Sequence, residues 1–549
     1  MRRAARLGTI LALLLAGCGT EPQAPRLTFA RLGGVLEGVP ADEAGRASIS
    51  CGGRSAQALS PRALGGKLLL AFRWEAGEQC ALRWGEGQAQ RLEAAAPALA
   101  DPVPVRVTEL ESVLFQGSGH GSGNGTSFLL FSPSGRLLAL GTQQGHVRVM
   151  DVAAGRTVFE QRVAEGWAKA AAFSPDERLL FIGEQTREGT IRAVEVASGR
   201  EAWRHDMSRE LGGGGPWDPG SELAWVEFPG PYRMAAAPDG DLLVAGLHNW
   251  HPDPKAPVRQ LSHLYRFDGR TGALRWKWPA KAPAPLSLTW FGHDEGARVA
   301  VGVLGTAREW RPGLETPPGL YAVDIESGRE LWRYAFEPLP PFRSVSTWRS
   351  VAVRPDGGAV SASTGDGRLY ILEKGRARWI EARGGPVLTG GFPVVAETGL
   401  LGATRDLAIF SLGGGYIPLQ AAAPGASTDQ PHPNSNTLLF FGWDGRLRYR
   451  WAAPNRPNGL ALSAEGRWLA VPLSQSRAFR REDVNALVLF DTAAPDGRLY
   501  AGEYHTEGPI PYDQAAISPD GSLIALVEAP AAIADGRPPR GKSRLHLLY

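Results

Sequence analysis

An all-β chain, a ring of eight four-stranded antiparallel sheets preceded by a small β-sandwich-like domain, is what the sequence predicts, and three observations predict it. Glycine and proline, 69 and 43 of 549 residues, are frequent enough to punctuate many turns yet stay below the low-complexity range. A turn flanked by two apolar runs recurs six times beyond residue 130. A second element, a strand followed by a glycine turn and a strand that ends in Trp in most copies, follows the first. At 43% apolar and 21% charged the composition is globular, which excludes a collagen, a coiled coil or a disordered chain.

The chain starts with cations at Arg2, Arg3 and Arg6 and a mostly apolar run from Leu7 to Ala16 that is too short to span a bilayer. The run ends in Leu15-Ala16-Gly17-Cys18, which resembles the lipobox of bacterial lipoproteins. The resemblance implies that residues 1–17 are a signal peptide, that the Cys18 thiol is acylated as the first mature residue, and that residues 18–25 are a tether. An ordinary secretory signal is the alternative. The expected location is the cell envelope: the periplasmic face of the outer membrane in a diderm, otherwise the outer face of the cell membrane. Of 59 Lys and Arg, three lie in this leader, so the remainder balances the 56 acidic side chains and implies no nucleic-acid partner.

Cys51 and Cys80 are the other two cysteines, and an oxidising compartment predicts that they pair, with free thiols as the alternative. Closing that loop stabilises a small domain by roughly 3 kcal/mol in the chain-entropy model. Short alternating segments, Arg46–Cys51, Lys67–Phe72 and Cys80–Trp84, make residues 26–99 a small disulfide-bearing β domain. The Ala- and Pro-rich stretch Glu93–Pro104 follows, with residues 100–104 as the linker to a larger domain over 105–549.

In that larger domain the first element reads Phe131-Ser-Pro-Ser-Gly-Arg, Phe173-Ser-Pro-Asp-Glu-Arg, Ala237-Pro-Asp-Gly-Asp, Val353-Arg-Pro-Asp-Gly-Gly, Leu462-Ser-Ala-Glu-Gly-Arg and Ile517-Ser-Pro-Asp-Gly-Ser. Where all three turn residues are present, Pro presets φ, Asp caps the turn with its side chain and Gly takes the positive-φ corner, so each copy is a hairpin. The second element reads Glu195-Val-Ala-Ser-Gly-Arg-Glu-Ala-Trp203, Asp268-Gly-Arg-Thr-Gly-Ala-Leu-Arg-Trp276, Asp324-Ile-Glu-Ser-Gly-Arg-Glu-Leu-Trp332 and Glu373-Lys-Gly-Arg-Ala-Arg-Trp379. Two hairpins make a four-stranded unit that cannot bury both faces alone, so the units stack radially as propeller blades. The spacing allows seven to nine blades and fits eight, the doubt lying between the candidate third strands Leu407–Leu412 and Leu447–Trp451. Val103–Leu110 is expected to supply the outer strand that closes the ring beside Arg544–Tyr549.

These residues resemble the WD40-like β-propellers through the Ser-Pro-Asp-Gly turns and the quinoprotein-like (PQQ-like) β-propellers through Ala-x-Asp-x-x-Ser/Thr-Gly-x-x-x-Trp. In the second family the terminal Trp docks between blades, which the resemblance assigns to Trp203, Trp276, Trp332 and Trp379, with Trp451 fitting less well. With its anchor, the chain resembles the propeller lipoproteins of outer-membrane protein assembly, and departs from them in the disulfide domain.

Other motifs lose to their context. Gly536-Arg-Pro-Pro-Arg-Gly-Lys542-Ser543 matches the phosphate-loop pattern but holds two prolines and leads into a strand, not the helix N-terminus such a loop needs. The glycine-alternating run Gly117–Gly125 reads as a loop. His248-Asn-Trp-His251, with Asp253 beyond, and the insertion holding Trp217 and Trp225 place large aromatics in long insertions, where a binding surface is expected. No acid, base, nucleophile or metal cluster stands out, so no catalytic, cofactor-binding or metal-ligating residue is assigned. The reading is a non-catalytic envelope lipoprotein, a scaffold binding a protein or glycan partner through Trp217, Trp225, His248, Trp250 and His251. The alternative is a quinoprotein dehydrogenase.

Overall fold

The structure is a computed structural model. It describes residues 24–549 except 41, 43–46, 54–56, 59–60, 86–89, 98–99, 111–125, 143–144, 163–166, 213–214, 216–226, 254, 306–314, 341, 343–344, 348, 417–430, 475–483, 495–496 and 531–540. Cys18, Trp217, Trp225, the Gly117–Gly125 run and most of the phosphate-loop-like segment therefore lie outside the described residues.

The Ser-Pro-Asp-Gly turns close for the reason their residues suggest. Ser518 Oγ accepts the Leu523 amide at 2.8 Å and donates to Asp520 Oδ1 at 2.5 Å, while the Gly521 amide donates to Ser518 O at 2.8 Å. The last corner is left-handed in seven turns: Gly135, Gly240, Gly357, Gly466 and Gly521 hold it as glycine, and Glu177 and Ala297 hold it at φ 59° and 48°. The Ala297 turn, starting at Asp294, is a seventh copy that lacks both the proline that marks five of the others and the glycine corner of the Leu462 copy. Asp294 replaces the serine there, its carboxylate accepting the amides of Arg298 and Val299.

Each turn joins the two inner strands of a blade, an antiparallel sheet of four strands, or of five over residues 387–452 and 456–505. Blade 1 is Thr126–Phe131, Leu137–Thr142, His146–Asp151 and Thr157–Arg162. Blades 2 to 7 span residues 167–206, 230–278, 287–335, 351–381, 387–452 and 456–505. Blade 8 takes Ala515–Ile517, Ile524–Glu528 and Arg544–Leu548 from the end of the chain and its outer strand, Pro104–Glu109, from before blade 1. That pairing covers the edge Arg544–Leu548 would otherwise expose and ties the two ends of the chain into one blade.

Strand periodicity builds the core. Within Leu137–Thr142, Leu137 and Ala139 pack with Leu180 and Ile182 of blade 2, while Leu138 and Leu140 pack with Ala525, Val527 and Leu547 of blade 8. Both faces of a middle strand are thus buried, which is why these strands read as continuous apolar runs instead of alternating. At the rim, Trp203 lies on Gly272 of the following blade, Trp276 on Gly328, Trp332 on Gly375 and Trp379 on Gly445. The indole N–H groups of Trp203 and Trp276 also cross the interface, to Gly269 O and Ile325 O, both at 2.8 Å. Trp203 is buried, and the other three are half-buried.

Blade 6 corrects the strand assignment. Its sheet has five strands, in order Val387–Thr389, Phe392–Ala403, Leu407–Tyr416, Thr437–Gly442 and Leu447–Ala452. The two candidate third strands belong to one blade, with Thr437–Gly442 between them and Leu447–Ala452 outermost. The residue in register with the rim Trp positions is Tyr449, opposite Phe440, and not Trp451.

Residues 26–95 form two four-stranded sheets, and Cys51 and Cys80, opposite each other in register, are joined by a disulfide. In Lys67–Ala71, Leu68 and Leu70 face the second of these sheets while Leu69 faces blades 8 and 1, in one core with Leu545, Leu547 and Tyr549. Tyr549 Oη donates to Leu70 O at 3.3 Å, and Lys67 Nζ to Pro104 O at 2.8 Å. Residues 100–104 run along the ring, where Asp101 Oδ1 accepts the Glu503 amide and Val103 exchanges backbone hydrogen bonds with Tyr549.

Candidate site on the propeller axis

The inner strands share one irregularity. Pairing slips at Ser127, Lys169, Tyr232 and Thr289, each five positions before the first residue of its turn. The same offset in blades 5 and 8 falls on Arg349 and Asp513, both in left-handed backbone at φ 52° and 55°. A β-bulge re-aims the side chain it carries. Repeated around a ring, it brings residues of distant sequence number to a common axis.

Lys169 Nζ lies 3.2 Å from the centroid of the Tyr232 ring and 4.7 Å from that of Trp167, and donates to Gln185 Oε1 at 2.6 Å. The guanidiniums of Arg233 and Arg349 both lie on Trp290, at 4.2 and 4.9 Å. Arg349 also covers Tyr512 at 4.7 Å and pairs with Asp513, so a side chain from blade 5 reaches blade 8. Arg349 and Asp513 keep 21% and 30% of their side-chain surface accessible, because they line the axis.

Three cations close together in a protein-walled space are held at a cost. Burial, reinforced by the charge of Arg349, lowers Lys169 well below its ordinary value and Arg233 to about 10. Burial likewise pushes the Tyr232 phenol up to about 12. His293, buried near Arg233, is lowered for the same reasons. Glu397 and Arg456, also close to the inner strands, neutralise each other at 2.5 Å. Among the described residues no carboxylate pairs with Lys169 or Arg233.

The histidines singled out from the sequence do not form a metal site. His248 is fully buried, its Nδ1 3.0 Å from Leu211 O and Nε2 3.2 Å from Glu227 O, and it stacks on Trp250 at 4.1 Å. His251 Nδ1 meets Glu227 Oε1 at 2.8 Å, and Asp253 caps its own turn. Glu227 thus ties the third-blade insertion to the strand end on both histidines. No group of three metal-ligating side chains occurs among the described residues. Lys542 pairs with Glu109 two residues before the strand Arg544–Leu548, and no described helix is long and apolar enough to cross a membrane.

The axial cluster was missed because the bulge position that re-aims it carries a different residue type in each blade. The signal available was a polar residue, Ser127, Lys169, Tyr232, Thr289, Arg349 or Asp513, five positions before the turn in six blades, whereas Arg233 and Trp290, one position further on, carried none.

No match was found among curated protein sequences. Among solved structures, the chain is similar to Kuenenia stuttgartiensis hydrazine synthase, at 13% identity over 74% of this chain and 92% of that one with a TM-score of 0.41. It is also similar to the C-terminal WD40 domain of Sif2, at 10% identity over 82% and 99% with a TM-score of 0.47. A family model described as outer membrane protein assembly factor BamB matches residues 187–382 and 259–417, and with the four-stranded sheets this supports a PQQ-like β-propeller.

Proposed function

We propose that the chain is a non-catalytic lipoprotein of the cell envelope, anchored through Cys18, whose propeller holds loops and the axial mouth toward a protein or glycan partner. The observation that carries this reading is that Arg349 crosses the axis to Asp513, and that Trp290 is covered by two guanidiniums. The strands are occupied with packing, and the Arg349–Asp513 pair narrows the axis. Recognition then falls to the axial mouth and to the segments on the blade-connecting side, where Trp250 and the Glu227-bound histidines lie.

A quinoprotein dehydrogenase needs a flat cofactor on the axis and oxygen ligands for calcium. The residues present do not fit that pair well: the axial carboxylate Asp513 is engaged by Arg349, and the Trp290 ring is covered. The test joins three measurements. Cys18→Ser is expected to abolish fatty-acid labelling and membrane retention. Deleting residues 217–225, or Trp250→Ala, should weaken recovery of the partner co-purified with the lipidated protein from its own membranes. Dye reduction after reconstitution with calcium and pyrroloquinoline quinone would overturn the non-catalytic reading.

A further inference from the structure

We propose that the axial mouth binds an oxyanion, a carboxylate or phosphate group, between Lys169, Arg233 and Arg349. This deepens the scaffold reading by naming the chemistry that a partner presents to the axis, and it is tested separately from it.

The charge balance leads there. Asp513 neutralises one guanidinium, Arg349, and the Glu397–Arg456 pair neutralises itself. Lys169 and Arg233 remain without a carboxylate among the described residues, and their contacts are to rings and to the Gln185 amide oxygen. An aromatic face returns only part of what a cation loses on leaving water, and two guanidiniums on one indole repel each other. The site also has polar atoms without partners. Arg233 Nε, one residue after the blade-3 bulge, is buried and makes no hydrogen bond, and Thr289, 4% exposed at the blade-4 bulge, has an unpaired Oγ1. Cations in excess and unused donors around one axis match an anion that accepts several hydrogen bonds at once. Because Arg349 spans the axis to Asp513, the group admitted is compact and not an extended ring system.

An acidic side chain of a partner loop and a free anion share this chemistry, so the experiment has three ligands. Titration calorimetry on the full chain would use inorganic phosphate, citrate and a hexaglutamate peptide, at low and high salt. At least one is expected to bind saturably, and Lys169→Met and Arg233→Met should each weaken it roughly tenfold or more. Both variants, without ligand, should melt at or above the wild-type temperature, since each removes an uncompensated cation. Binding of the peptide alone assigns the oxyanion to a partner side chain. Binding of phosphate or citrate alone assigns it to a free anion. No saturable binding of any of the three, or unchanged affinity in both variants, overturns the proposal. If a Met variant does not fold, Lys169→Arg and Arg233→Lys must still bind, and failure of both overturns it. Deleting residues 217–225 leaves the axial residues in place, so partner capture lost with anion binding retained separates this site from the loop surface.

Discussion

The guanidinium of Arg106 lies on Gly155, with Nη1 donating to Val152 O at 2.8 Å and Nη2 to Ala153 O at 3.1 Å. Arg106 faces Leu547 one step before a bulge, the register that Trp203, Trp276, Trp332 and Trp379 hold in their own blades. At the seam an arginine replaces the rim tryptophan. Hydrogen bonds to the turn's carbonyls substitute there for an indole on its glycine.

Arg106→Ala should therefore loosen the seam in particular. The expected loss is about 1–3 kcal/mol in urea unfolding, from two charge-assisted hydrogen bonds that are partly solvated. Hydrogen exchange should accelerate first in Pro104–Glu109 and Arg544–Leu548. Uniform acceleration around the ring would contradict a local role.

Gly272→Ala tests the rim contact by difference. Gly272 and Gly497 both lie in the connection from third to outer strand, at φ 73° and 71°, but a Cβ on Gly272 would lie 2.6 Å from the Trp203 ring whereas one on Gly497 meets nothing within 4 Å. Gly497→Ala should cost about 1 kcal/mol, the left-handed backbone penalty alone. Gly272→Ala should cost more by about 1–3 kcal/mol, because the indole must move. Equal midpoint shifts would mean that the ring yields freely.

Glu184 should make stability fall as pH rises. Burial pushes its carboxyl up to about 7 despite the ion pair with Arg192. A raised folded-state value gives stability that is complete below the unfolded value, 4.5, and lost as pH climbs through about 7. Glu184→Gln is expected to equal or fall below wild type at pH 4 and to gain on the order of 1–3 kcal/mol relative to it by pH 8. A pH-independent difference would refute the assignment.

Glu528 should act in the opposite sense. Burial opposes its ionisation, but hydrogen bonds from His546 at 2.8 Å and the Gly508 amide at 2.5 Å, with the charge of Arg544, hold it below the usual carboxylate range. Its contribution is present above 4.5 and lost as pH falls through the lowered value. Glu528→Gln should cost roughly 1–3 kcal/mol at pH 7, and the cost should shrink in acid. Thermal melts from pH 3 to 7 read both.

The fold was legible wherever local chemistry repeats. Proline, aspartate and glycine mark corners without reference to any distant residue, and Trp four positions after a turn glycine marks the rim. Blade 6 was harder because its inner turn, Thr404-Arg-Asp-Leu407, has neither proline nor glycine. Its closure rests on Thr404 Oγ1 accepting the Leu407 amide, a role any loop threonine could fill. His248 looked like part of a binding loop and is core, because Leu242–Trp250 and Arg259–Phe267 pair over nine residues each and carry it inside the hairpin. The docking of Leu69 and Tyr549 between the two domains had no sequence signature, since a leucine run reads the same whether one face or both are covered.

Closure by residues 104–109 also changes what a broken backbone means. Leu388, 80% exposed beside the Gly390-Gly391 turn, offers a protease an accessible bond. In an open chain of sheets, one cut would separate two bodies. Here both fragments keep two radial interfaces with each other, one on each side of the circle. The nicked molecule should elute at the intact size on a native column and part only in denaturant, so a second cut is needed before either piece can leave.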